Sequence, residues 1–144
     1  MVERAAVEAF IDRYRTTFES FDVDAIASCF AFPCQVTSDG EAVTVTSVPN
    51  EDAWRPGIER IVGAYRLLGV RSATVAELRV VDVTHRVGHA VVRWTLTDAT
   101  GATVYDFHAS YTLADLGDGL RIAAIAHDET PRLLAAVARR QAGG

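Results

Sequence analysis

Residues 103–113 read Thr-Val-Tyr-Asp-Phe-His-Ala-Ser-Tyr-Thr-Leu, and their alternation decides the fold. Successive side chains of a β-strand point to opposite faces. Tyr105, Phe107, Ala109, Tyr111 and Leu113 therefore share one face, and Asp106, His108, Ser110 and Thr112 share the other. An aromatic face backed by a polar one is the pattern of a strand with a core on one side only. The same period runs from about Ser72 to Asp128 and predicts strands over 74–83, 89–97, 103–113 and 120–127. Gly88, the run Asp98-Ala-Thr-Gly101 and the run Gly117-Asp-Gly119 separate them, at spacings short enough for antiparallel hairpins.

Outward from that strand, the alternation sorts its neighbours. Ala90, Val92, Trp94 and Leu96 join the inner face, and Arg93, Thr95 and Thr97 the outer. Carried unbroken into the last strand, it turns Leu120, Ile122, Ala124, Ala126 and finally Asp128 inward. Arg121, Ala123, Ile125 and His127 then face out.

Upstream the period changes to that of a helix. Val7, Phe10, Ile11, Tyr14, Phe18 and Phe21 recur at spacings of three and four. Asp22 is a suitable N-cap for a short second helix, which Pro33 prevents from continuing. Asp39-Gly40 between two β-type runs predicts a hairpin. Asn50 or Asp52 then starts a third helix with Trp54, Ile58, Ile61, Val62, Tyr65 and Leu68 on its apolar face. Pro56 is expected in its first turn, where a missing N–H costs no intrahelical bond, and Gly69 closes it. A last helix over about 131–141 is capped by Thr130 and carries Leu133, Leu134 and Val137.

Composition bounds the rest. The chain has 144 residues, 49% hydrophobic and 23% charged, and a net charge of −5, the balance of one globular domain. All 14 basic residues are arginines scattered from Arg4 to Arg140, with no basic stripe for a nucleic-acid partner. No apolar window reaches the length of a membrane span, and the first residues do not resemble a signal peptide. Cys29 and Cys34 make no disulfide framework in a domain this large, so a cytoplasmic, reduced chain is expected.

Helices first and meandering strands afterwards give an α+β class, with helices packed on one face of a strongly curved antiparallel sheet. In this order the chain resembles the nuclear transport factor 2-like superfamily, the cone-shaped SnoaL-like or cystatin-like fold. The features that carry the resemblance are the Tyr14-bearing helix, the segment from Phe21-Asp-Val-Asp-Ala-Ile to Phe30 and Pro33, and the Asp39-Gly40 hairpin. The Trp54-to-Leu68 helix and the run from Tyr111-Thr-Leu to Asp118-Gly-Leu-Arg-Ile complete it. The resemblance covers nearly the whole chain, through about Asp128, in a single domain over 1–144 with a core about 3–128 and a C-terminal helix about 131–141. It implies a pocket at the wide end of the cone and a homodimer through the open sheet face. It implies no single activity, since the superfamily holds isomerases, cyclases, dehydratases and non-catalytic modules.

Candidate site residues follow from the two faces. Asp128 is the one carboxylate that unbroken alternation turns inward, and apolar walls would raise its pKa enough for acid–base work. Tyr14 would donate a hydrogen bond to a carbonyl or enolate, as the resemblance to ketosteroid isomerases implies, and His127 is a second acid–base candidate. Phe18, Phe30, Trp54, Tyr65, Trp94, Phe107 and Tyr111 would line a pocket of roughly 300–1,000 Å³. Asp106 and His108 sit on the outer face and are set aside, and Asp39 is a turn residue. His85 and His89 flank the turn at Gly88, so neither they nor the cysteines predict a metal site. No cofactor is called for. A small apolar or aromatic metabolite with cofactor-free proton transfer is one expectation. The alternatives are a non-catalytic binding or dimeric assembly module, or an accessory subunit of a partner chain.

Overall fold

Helix α1 (Arg4–Glu19) buries Val7, Phe10, Ile11 and Tyr14, the stripe its spacing predicts. In the computed structural model, which describes residues 2–143, it is followed by α2 (Val23–Ala27), whose Asp22 cap accepts from the Ala25 amide. The hairpin of β1 (Phe30–Asp39) and β2 (Val43–Val48) turns through Gly40. Helix α3 (Glu51–Leu68) starts at Asn50, whose side chain accepts from the Ala53 N–H at 2.9 Å. It ends at Gly69 in the left-handed region, φ 74°, which a residue with a Cβ adopts only at a cost. Strands β3 (Val70–Asp82), β4 (Val87–Asp98), β5 (Thr103–Asp115) and β6 (Leu120–His127) then run as a meander, and α4 (Glu129–Gly143) closes the chain.

The strands form one curved six-stranded sheet in the order β2-β1-β6-β5-β4-β3. Four of its neighbour pairs are antiparallel, but β6 returns beside β1 and pairs with it in parallel, so the sheet is mixed. Glu19 at the end of α1 accepts from the Ala73 N–H of β3 at 2.8 Å and pins that helix to the sheet. The core lies between α1, α3 and the concave face, where Ala90, Val92, Trp94, Leu96, Tyr105, Phe107, Ala109, Tyr111 and Leu113 are all buried.

Two local expectations need correction. Pro56 lies in the second turn of α3, not the first, and the carbonyl it leaves without an intrahelical donor belongs to the exposed Asp52. Helix α4 begins at Glu129, so Thr130 is a residue of its first turn rather than its cap, and Leu134 is exposed.

A third departure sets up the site. In the β5–β6 pairing Leu113 stands opposite Ile122 and Thr112 opposite Ala124, so Ala123 is an extra residue on β6. Such a bulge reverses which side chains face the core beyond it. Ile122 is fully buried, and after the bulge Ile125 and His127 turn inward while Ala126 is exposed. The face pair is testable. Ile125→Asp should lower stability by about 3 kcal/mol and Ala126→Asp by less than about 0.5 kcal/mol in urea denaturation. Equal losses would mean that β6 keeps its phase through Ala123.

Candidate functional site

The concave face, α1 and α3 enclose a cavity of about 110 Å³. Tyr14 and Phe18 reach it from α1, Phe30 from β1, Trp54 and Tyr65 from α3, Trp94 from β4, and Phe107 and Tyr111 from β5. The structure thus brings these eight side chains around one space, although a far smaller one than the expected range. The reason is that the rings fill the cone themselves. Tyr14 packs edge-on against Phe18 at 5.2 Å and Tyr111 at 5.7 Å between centroids, and Phe30 does so against Trp54 at 5.5 Å. The Trp94 indole N–H donates to the Tyr111 hydroxyl at 2.8 Å. The Trp54 indole N–H is buried without a partner, at a cost of about 1–3 kcal/mol.

One acid shares the cavity wall, and it is Glu129. It is the buried charged residue of the core, 7% exposed, at the first position of α4. The Tyr65 hydroxyl donates to its Oε2, as does that of Tyr105 at 2.8 Å, so Oε1 takes no part in either bond. Burial pushes the carboxyl up to about 7, the two tyrosine bonds act against that rise, and the nearby charge of Asp128 adds to it. His127 also lines the cavity. Its Nδ1 accepts from the Glu129 N–H at 3.1 Å, so in the neutral ring the proton sits on Nε2. Burial lowers its pKa, partly offset by Asp128. Burial likewise raises the Tyr14 hydroxyl well above its ordinary value.

Asp128 does not face the cavity. Because Ala123 shifts the phase of β6, its carboxylate lies on the outer side of the sheet. There Oδ1 accepts from the His108 N–H at 2.7 Å, and Oδ2 meets the His108 ring at 3.1 Å and Arg132 at 3.4 Å. Partial burial raises its pKa, but those three partners outweigh it and the net shift is downward. Asp106 stands on the same outer face between Arg93 at 3.3 Å and Arg132 at 3.1 Å. The sequence reading missed Glu129 because it carried alternation through Ala123. The available signal was Ile125, an apolar β-branched residue on a nominally solvated face.

Among the described residues no group of three or more His, Cys, Asp or Glu side chains is placed to hold a metal ion. His89 instead meets the Thr112 hydroxyl at 3.1 Å, and Cys29 and Cys34 are free. No helix among the described residues is long and apolar enough to cross a membrane.

A helix-covered, curved sheet holding a small aromatic cavity defines the class: a cystatin-like cone. The chain belongs to the NTF2-like protein family (DUF6841), whose family model matches residues 3–130. No curated protein matches it. Among solved structures, it is similar to an NTF2-like protein with a cystatin-like fold from Novosphingobium aromaticivorans. That likeness has 16% identity over 93% of this chain and 88% of the other, with a TM-score of 0.67. A protein of unknown function with a cystatin-like fold from Nostoc punctiforme has 8% identity over 88% and 90%, at 0.69. A ketosteroid isomerase-like protein from Erwinia carotovora atroseptica has 17% identity over 86% and 93%, at 0.59. At these identities the likeness is one of fold.

The raised Glu129 pKa is a stability statement with a definite sign. The folded state holds this proton up to about pH 7, whereas an unfolded carboxyl releases it near 4.5. The contribution is therefore complete below pH 4.5 and is lost as pH rises to about 7, on the order of 3 kcal/mol. Glu129→Gln should flatten this part of the stability–pH curve measured by chemical denaturation. An unchanged slope between pH 5 and 7 would assign it to other groups.

Proposed function

We propose that the cavity binds a small, largely apolar molecule, and that Glu129 exchanges a proton with it. The observation that carries this reading is a buried carboxyl in an aromatic cavity with a pKa near neutrality. Such a group is half protonated at working pH and can serve as acid or base without a cofactor. Tyr65 and Tyr105 hold its Oε2 and stabilise the carboxylate, which leaves Oε1 for the ligand. Tyr14 is a second hydrogen-bond donor in the wall, and neutral His127 a second base. The ketosteroid isomerase-like neighbour supports this class of chemistry by analogy of fold alone.

The volume favours a second reading. A cavity of 110 Å³ is smaller than one that admits benzene, so the site is also compatible with a non-catalytic binding or assembly module. In that case Tyr65, Glu129 and Tyr105 act as a strut joining α3, α4 and β5. Pairing of two copies through the open sheet face remains part of the proposal, as does a cytoplasmic location for a chain with two free thiols.

The decisive experiment is NMR-detected deuterium exchange into the carbon-bound hydrogens of small ketones. The wild type should accelerate exchange with a rate that rises through pH 7. Glu129→Gln should lower the rate at least ~100-fold, the usual reach of one acid–base group. Asp128→Asn, on the outer face, should retain most of it. Equal rates in wild type and Glu129→Gln would leave the strut as the role of this residue.

A further inference from the structure

Among the described residues, no cation pairs with the Glu129 carboxyl in the cavity wall. Apart from its tyrosines, the ionisable residues lining the space are Arg15, His127 and Glu129. Arg15 is already engaged, by Asp12 at 2.6 Å and Glu19 at 3.1 Å. His127 spends Nδ1 on the Glu129 amide, and burial holds its ring toward the neutral form. The groups that face the Glu129 carboxyl from the surrounding elements are Tyr65 of α3, Tyr105 and Tyr111 of β5 and Tyr14 of α1, with Asp128 beside it. None is a cation. A buried carboxylate is ordinarily paired with a positive charge, and its position in the first turn of α4 shows a site able to support the ionised form.

Resting on the reading of the cavity as a binding site, we propose that its ligand is a small organic cation, an alkylammonium whose methyl groups face the rings and whose charge pairs with Glu129. Aromatic walls suit that chemistry. The ring faces of Trp, Tyr and Phe attract methylated ammonium groups, which cost less to dehydrate than a bare ammonium. Trp54, Phe30, Tyr14 and Trp94 supply such surfaces around the 110 Å³ space, a volume that limits the ligand to a few heavy atoms. Proton balance follows from the pairing. Below pH 7 the cation displaces the Glu129 proton, which passes to solvent, and above it the carboxylate is already formed.

Isothermal titration calorimetry of the intact chain with trimethylammonium chloride, against 2-propanol as a neutral probe with the same number of heavy atoms and within the 110 Å³ space, tests this. Cation affinity should rise about tenfold per pH unit from pH 5 to 6.5 and level off above 7.5. At pH 6, buffers of different ionisation enthalpy should report about one proton released per cation bound. Glu129→Gln should weaken the cation at least tenfold and leave 2-propanol binding in place. The wild-type pH dependence stands as a test even if that variant does not fold. Cation affinity that is independent of pH, or equal to that of 2-propanol, overturns the cation and leaves the cavity as a binding site for neutral molecules. If neither probe binds, the cation and the binding-site reading fall together.

Discussion

A single extra residue in β6 governs where the acid of this protein lies. With Ala123 bulged between Ile122 and Ala124, every later side chain changes face. Ile125 and His127 enter the cone, and the chain leaves the sheet with Glu129 rather than Asp128 turned inward. Helix α4 then starts at once, in reach of both Tyr65 and Tyr105. Without the bulge, the neighbouring aspartate would occupy the cavity. The two tyrosines donated from α3 and β5 would then lose the acceptor that draws α4 to the cone.

Adjacent carboxyl groups therefore live in opposite environments. Asp128 has an amide, an imidazole and a guanidinium around it and is held below the usual carboxylate range. Glu129 has two phenols and no cation, and burial dominates. The outer charge also feeds the inner one, because an ionised Asp128 makes a second negative charge next door less favourable. The outer ladder of Arg93, Asp106, Arg132 and Asp128 thus fixes the junction of β6 with α4 and biases the interior acid toward its neutral form. Each of its contacts is partly solvated, so no single one contributes much to stability.

The regular part of this structure was legible in the chain. Periods of two and of three to four placed the strands and the faces of α1, α3, β4 and β5, since each face is decided by neighbours within the same element. The Asp22 cap, a start of α3 at Asn50 or Asp52, and the stop at Gly69 were legible for the same local reason, and the structure settles the start on Asn50. What escaped is non-local. The parallel pairing of β1 with β6 depends on where a distant hairpin lands, and the bulge at Ala123 depends on its partner strand. Two alanines in succession carry no sign of it, and an alternation rule cannot register an insertion. The inward acid was therefore expected just past the end of β6, at Asp128, and lies one residue further on, at the start of α4. The eight aromatic side chains were drawn together as their faces implied, but whether rings fill a cone or line it depends on their mutual packing, which the pattern does not contain.

The remaining question is why a core this small keeps polar groups at all. A cone filled for stability alone would place a leucine or methionine where Glu129 sits, avoiding the dehydration of a carboxyl. It would also give the Trp54 indole N–H a partner or replace the ring. Instead the protein accepts a buried acid, two tyrosines committed to one of its oxygens, and an unpaired donor, with Glu129, Tyr65 and Trp54 all in the cavity wall. Departures from local consistency gather at functional sites, because elsewhere nothing offsets their cost. The buried acid and the unpaired donor in one wall support the proposed binding site over a packing defect, which would be lined by apolar atoms.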